Sequence, residues 1–327
     1  MAVLLGYTTA LEYWRSCASI TDATHHELLL GTSTERKNTT NSLQTKMRKK
    51  AAQKHYSIYA SEHPSSHLIM LKQQSIPARC HVHAQLPPYS CIRYSNKDDV
   101  FVSTPEFCFL QMASLLTVEQ LIELGFELCG SYARTKEATV YQAFPLTSVE
   151  KLDSFLSKAN GFNGIKRARR ALRYILPRSA SPMETALTML LCLPYSLGGF
   201  GITSPKLNYP IDIPIPLKKK IYAHYYICDL FWPDSNLAIE YDSDLAHSGI
   251  YKTTKDAARR SVLTTLDISV LSVTRPQIMG KASFIQLAHL VARKTGKRIR
   301  CDWSSFSYQH QKLRTMLLSS NESSIRF

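Results

Sequence analysis

The sequence predicts an α/β protein with a mixed α+β N-terminal domain over residues 1–160, an α-β-β-β-α-β domain over 161–300, and a polar tail over 301–327. Three observations predict it. Short runs that alternate apolar and polar residues stand beside segments with apolar residues at helical spacing. In the second half these runs follow one another as helix, three strands, helix, strand. The 327 residues favour two cores over one, and 44 % hydrophobic residues can fill both.

Residues 1–30 read as a short helix followed by a mixed segment. Residues 34–55 carry Arg36, Lys37, Lys46, Arg48, Lys49, Lys50 and Lys54, a cluster that suits either phosphate tracking or a solvated helix face. Within 66–103, the runs HLIML, ARCHVHAQL and VFVS alternate as short strands do, and Pro87 with Pro88 marks a turn. Thr104-Pro105-Glu106 opens a helix, with Thr104 as cap and Pro105 in the first turn. A second helix starts at Thr117, where Gln120 three residues on completes a capping box. The chain then turns around 145–160. A basic helix follows with Lys166, Arg167, Arg169, Arg170 and Arg173, and the domain boundary falls near 160. The tail is Ser-rich, with a short helix expected over 308–318 and a loose end beyond. No internal repeat is visible.

The charge balance points to a partner. A formal net charge of +15 favours a polyanion, nucleic acid first, over a basic surface that merely keeps the chain in solution. No long apolar run suggests a membrane span, and the N-terminus has no basic n-region ahead of Glu12 and Arg15. A cytoplasmic protein is therefore expected. The cysteines Cys17, Cys80, Cys91, Cys108, Cys129, Cys192, Cys228 and Cys301 are scattered and read as buried small hydrophobes. Cys80, His81, His83 and Cys91 lie close together in sequence, but their spacing fits no usual zinc pair.

The chemistry concentrates in the second half. Ser181-Pro182-Met183-Glu184 opens a helix, and Glu184 is either the closing member of a capping box or a site acid. NYPIDIPI is a strand, and KKKIYAHYYICDLFW and LAIEYDSD are the arms of a hairpin turned by Pro233-Asp234-Ser235-Asn236. Asp229 sits on one arm, Glu240 and Asp242 on the other. Glu240 and Asp242 are two apart, so both leave one strand face. Three carboxylates converging there would repel one another unless a cation is present, and Mg²⁺ or Mn²⁺ takes oxygen ligands of this kind. The alternative is an exposed edge strand with its acids in water. His247 can orient water near such a centre or be a surface histidine. The helix TTKDAARRSVLTTL offers Lys255, Arg259 and Arg260 to phosphates, or is an ordinary charged face. DISVLSVT is the last strand.

Three stretches, GIKRARRALRYILPRSASPMETALTMLL, CDLFWPDSNLAIEYDSDLAHSG and KDAARRSVLTTLDISVLSVT, together resemble small bacterial endonuclease domains related to the very-short-patch mismatch repair endonuclease, within the PD-(D/E)XK superfamily. The resemblance covers about residues 160–280 and implies a restriction-endonuclease-like core. It implies that Asp229 and Glu240 are metal-binding acids, that Glu184 is the helix acid, and that His247 is the downstream histidine. Asp242 stands where the superfamily usually has a lysine, a role that Lys255 or His247 would take. The implied activity is Mg²⁺- or Mn²⁺-dependent phosphodiester cleavage, of DNA ahead of RNA, with Lys166, Arg167, Arg169, Arg170, Arg259 and Arg260 on the nucleic acid. VFVSTPEFCFLQMASLL with TVEQLIELGFELCGSY resembles abortive-infection AbiEi-type antitoxins, which implies a setting in phage defence or a toxin–antitoxin pair. The competing reading is an inactive nuclease fold that serves as a DNA-binding regulator or antitoxin.

Overall fold

The computed structural model describes residues 3–17, 35–39, 41, 68–70, 81–82, 89–93, 100–214, 225–242 and 262–319. It is a mixed helix and sheet structure, as expected, and divides into two compact units, one ending at Pro177 and one beginning at Arg178.

The first unit is built on a five-stranded sheet of order β3-β2-β1-β5-β4, with β1 Val3–Leu5, β2 Leu68–Met70, β3 His81–Val82, β4 Cys91–Arg93 and β5 Val100–Ser103. β1 lies at its centre, parallel to β5 and antiparallel to β2. His81 and Cys91 therefore lie on opposite edges, four strand spacings or about 19 Å apart. They cannot share a zinc ion; Cys80 and His83 lie outside the described residues.

Two strand–helix pairs run side by side. β1 leads through Gly6 into α1 (Tyr7–Ser16), and β5 leads through Thr104 into α2 (Pro105–Met112). In α1 the buried residues Tyr7, Ala10, Leu11 and Trp14 follow the one-face helical spacing. Trp14 Nε1 donates to Ser103 O across 2.9 Å, which satisfies its one polar atom. Thr104 and Pro105 start α2 as the sequence predicts, and Thr117 with Gln120 forms both bonds of a capping box at the start of α3 (Val118–Leu128). Beyond the short hairpin β6 (Tyr132–Arg134) and β7 (Thr139–Tyr141), the stretch expected as a turn contains the helix α4 (Val149–Lys158). Ser148 caps it, and Leu152, Phe155 and Leu156 bury its apolar face.

The basic helix α5 (Ile165–Leu172) belongs to this unit, so the division falls at 177 and not near 160. The reason is packing. Ile175, just beyond α5, occupies the space that Gly125 leaves on α3. Arg167 also reaches from α5 to Ala113 O at the end of α2 and to Leu116 O in the turn that follows.

In the second unit α6 (Pro182–Cys192) precedes a four-stranded sheet of order β11-β10-β9-β8, with β8 Lys206–Asp212, β9 Tyr225–Trp232, β10 Leu237–Asp242 and β11 Ser269–Thr274. β8, β9 and β10 are antiparallel in turn, and β11 is parallel to β10. Asn236, at φ 45°, closes the Pro233 turn. Leu263 and Ile268, ahead of β11, pack against Cys228, Phe231 and Ala238.

α7 (Arg275–Met279), α8 (Lys281–Lys294) and α9 (Trp303–Ser319) follow. α9 is longer than the 308–318 helix expected from sequence, and residues 320–327, expected as a loose end, lie outside the described residues. Phe306, Leu313, Leu317 and Leu318 are buried beside His310, and burying such apolar side chains stabilises by about 1.5–3 kcal/mol each. His310 Nδ1 pairs with Gly198 O at 2.7 Å, while burial pushes its pKa down, so it is a neutral core histidine. Among the described residues no helix is long and apolar enough to cross a membrane.

Candidate functional site

The site begins at the N-terminus of α6. Ser181 Oγ accepts the Glu184 N–H at 3.1 Å, which is half of a capping box. The other half is replaced. Glu184 accepts the Ala180 N–H at 2.9 Å on Oε2 and the Ser181 hydroxyl at 2.9 Å on Oε1. It then reaches across to β8, where Asn208 Nδ2 donates to Oε2 at 2.6 Å. A plain capping box needs none of that long-range contact. Glu184 is only 6 % exposed, and all its donors are neutral. Burial pushes its pKa up, the charge of Asp229 pushes it further, and the three hydrogen bonds only partly oppose this. Glu184 and Asp229 thus lie close enough for their charges to interact.

Asn208 was not foreseen. Its side chain donates to Arg178 O at 2.8 Å as well as to Glu184, so both amide hydrogens are used. Its φ of 44° places it in the left-handed region, which asparagine tolerates better than most residues. The pairing of β8 with β9 passes from Leu207↔Leu230 to Tyr209↔Cys228, which leaves Asn208 across from Asp229 outside the regular ladder. An asparagine inside a run of strand-forming residues was the available signal.

Asp229 lies on β9, half-buried, and its Oδ2 accepts the Tyr241 N–H from β10 at 2.7 Å. The β9–β10 register runs Leu237↔Trp232, Ala238↔Phe231 and Ile239↔Leu230, so one further step sets Glu240 opposite Asp229. Glu240 pairs with Ser272 and Asp242 with Thr274 on the parallel side, and both acids are half-buried. Their two-residue spacing gives them one strand face.

The convergence of Asp229, Glu240 and Asp242 is not complete among the described residues, where no three His, Cys, Asp or Glu side chains come together closely enough to hold a metal ion. The contacts explain part of this. The Asp229 carboxylate is turned to a backbone N–H, and Glu184 is held by its own donors. The donor set nonetheless has the hard oxygen chemistry of a divalent-cation site.

The basic residues separate into two kinds. Arg167 Nη1 donates to Ala113 O and Leu116 O at 2.7 and 2.9 Å. Arg169 Nη2 donates to Leu156 O and Asn160 Oδ1, each at 2.7 Å. Ala113 O and Leu156 O lie at or near the C-terminal ends of α2 and α4, where a cation suits the helix dipole. These bonds give both arginines a structural role beside the one expected on nucleic acid. Lys166, Arg170 and Arg173 are exposed on the same helix and its continuation. His247, Lys255, Arg259 and Arg260 lie outside the described residues. So do most members of the 34–55 cluster, of which Arg36 pairs with Glu106 at 3.2 Å.

No family model, curated protein or solved structure matches this chain.

Proposed function

We propose that the second unit is a metal-dependent endonuclease hydrolysing phosphodiester bonds in nucleic acid, DNA ahead of RNA. The observation that carries this reading is that Asn208, hydrogen-bonded to Glu184 of α6, lies across from Asp229 of β9, with Glu240 opposite Asp229 in the register of β10. The order of elements supports it. A helix, three antiparallel strands and a last strand parallel to its neighbour are what the resemblance over about residues 160–280 implies.

A buried carboxyl beside a second carboxylate holds negative charge that a cation relieves. Asp229 and Glu240 are the residues that would hold Mg²⁺ or Mn²⁺, with Asp242 on the same strand face. Such an ion, when bound, neutralises phosphate charge and lowers the pKa of a bound water. Glu184, with its raised pKa, is suited to hold a proton beside Asp229. Ser181, Ala180 and Asn208 fix the orientation of its carboxyl group. The likeness of the first unit to abortive-infection antitoxins would set this activity in phage defence or a toxin–antitoxin pair.

The test uses the full chain, supercoiled plasmid and Mg²⁺ or Mn²⁺. The wild type is expected to nick or linearise the plasmid, and Asp229→Ala and Glu240→Ala to fall to background. If wild type and Asp229→Ala both leave the plasmid uncut yet both retard it in a gel, the enzyme reading fails. The DNA-binding regulator or antitoxin then takes its place. One observation favours that second reading, namely that both carboxylates already have protein donors.

A further inference from the structure

We infer that the segment Arg293–Arg300, between α8 and α9, is a second nucleic-acid contact that grips phosphates beyond the carboxylate site. Its sequence, RKTGKRIR, holds Arg293, Lys294, Lys297, Arg298 and Arg300 and no acid. From Lys281 to Ser319 the only acid is Asp302, and its carboxylate is engaged by Ser304 at the start of α9, which helps hold its pKa down.

Two bland explanations fall short. The C-terminal dipole of α8 favours Arg293 and Lys294 in its last turn, but the effect fades within that turn and does not reach Lys297, Arg298 or Arg300. Nor do the arginines serve the fold as Arg167 and Arg169 do. Arg293, Arg298 and Arg300 are exposed, and their guanidinium groups have no hydrogen-bond or ion-pair partner among the described residues.

The segment is held in shape. Gly296, at φ 71°, turns the chain, and the Lys297 N–H returns to Ala292 O at 2.8 Å. The Arg300 N–H donates to Tyr195 Oη at 3.1 Å. Lys294 Nζ donates to Ser269 Oγ at 3.2 Å, which ties the segment to the first residue of β11. Trp303, three residues beyond Arg300, is 46 % exposed and stacked on His289, and offers a ring to a base. Exposed arginines without an ion-pair partner among the described residues, on a held backbone beside an exposed aromatic ring, fit a phosphodiester backbone.

The location adds a scale. Ser269 pairs with Leu237, and Glu240 is three residues further along β10, roughly 10 Å at the usual strand rise. That is about three nucleotide steps of a duplex. The inference rests on the nucleic-acid partner of the proposed function, not on cleavage.

The closing experiment separates the two claims. Binding of the full chain to a fluorescein-labelled 20-base-pair duplex is followed by anisotropy in EDTA, from 50 to 200 mM KCl. The triple variant Arg293→Ala/Arg298→Ala/Arg300→Ala is compared with Lys166→Ala/Arg170→Ala/Arg173→Ala, and a triple Arg→Gln version of the first guards against a folding defect. The 293/298/300 variants are expected to bind about tenfold more weakly and to lower the salt slope by roughly two to three, at about 0.9 per phosphate contact. A wild type that does not bind, or 293/298/300 variants that match the wild type in affinity and slope, overturns the inference. So does patch-dependent displacement of the duplex by phosphatidylserine vesicles, which would assign the surface to a membrane. Patch-dependent DNA binding by a wild type that leaves plasmid uncut sinks the nuclease reading and leaves this one standing.

Discussion

Glu127 in the first unit and Glu184 in the second are both buried glutamates near a helix end, and the protein treats them in opposite ways. Glu127 meets cations. Arg15 grips it through two bonds of 2.7 Å, and the Arg134 N–H adds a third at 2.9 Å. Burial alone would raise its pKa, but Arg15 and Arg134 outweigh burial and hold it below the usual carboxylate range. Glu184 meets only neutral donors and the like charge of Asp229, so its pKa rises. Glu123 lies between the extremes. Arg134 Nη1 is 2.6 Å from its Oε1 without good hydrogen-bond alignment, and burial keeps its pKa raised. A carboxylate that serves the fold is paid with a countercharge; one set beside another acid is poised for something the fold does not need.

The comparison breaks most visibly at Arg15. Arg15→Ala should cost about 3–5 kcal/mol in urea unfolding, because it strands Glu127 as a buried charge. A loss below about 1 kcal/mol would mean that water reaches Glu127 and that the pair is ordinary surface chemistry.

Asn208→Ala should cost about 1–3 kcal/mol, since it removes a donor from a buried carboxyl. Asn208→Gly keeps the left-handed backbone and loses only the donor, so the difference between the two variants isolates the strain at φ 44°. Both should raise the Glu184 pKa further, readable by carbon-detected NMR titration.

The smallest effect is the most specific, because the two glutamates should give opposite slopes of stability against pH. Glu127 is lowered in the folded state, so its contribution is present above the unfolded glutamate pKa and is lost as pH falls through the folded value. Glu184 is raised, so its contribution is full below the unfolded pKa and is lost as pH rises through the folded value. Melting temperature against pH should therefore lose an acid-side fall in Glu127→Gln and an alkaline-side fall in Glu184→Gln. Equal profiles for the two variants would erase the distinction.

Much of the second unit was legible because its signals are local. The Ser181 cap, the Pro182 start, the Pro233 turn and the strand that carries Glu240 each depend on a few adjacent residues, and all appear. Thr104 and Thr117 were legible in the first unit for the same reason. What escaped depends on distance along the chain. Arg15 and Glu127 are 112 residues apart, and no spacing rule links them. The structural bonds of Arg167 and Arg169 reach carbonyls on other helices, which their own spacing does not reveal. Ser148 was read as part of a turn, although it caps α4, because its polar neighbours mask the buried stripe of Leu152, Phe155 and Leu156. Asp229 was placed correctly on its strand, but its bond to the Tyr241 N–H belongs to the ladder geometry and not to the pattern of residues.

The central position of β1 has a consequence for how the first unit is made. Val3 pairs with Val100, so the strand at the middle of the sheet leaves the ribosome long before the partner that flanks it on the β5 side. At about 5–20 residues per second, β1 waits roughly 5–20 s for β5 to be synthesised. During that interval its backbone edge is open to any passing strand. The first unit should therefore be the part of the nascent chain that engages chaperones, and slowing translation between β1 and β5 should lower its soluble yield.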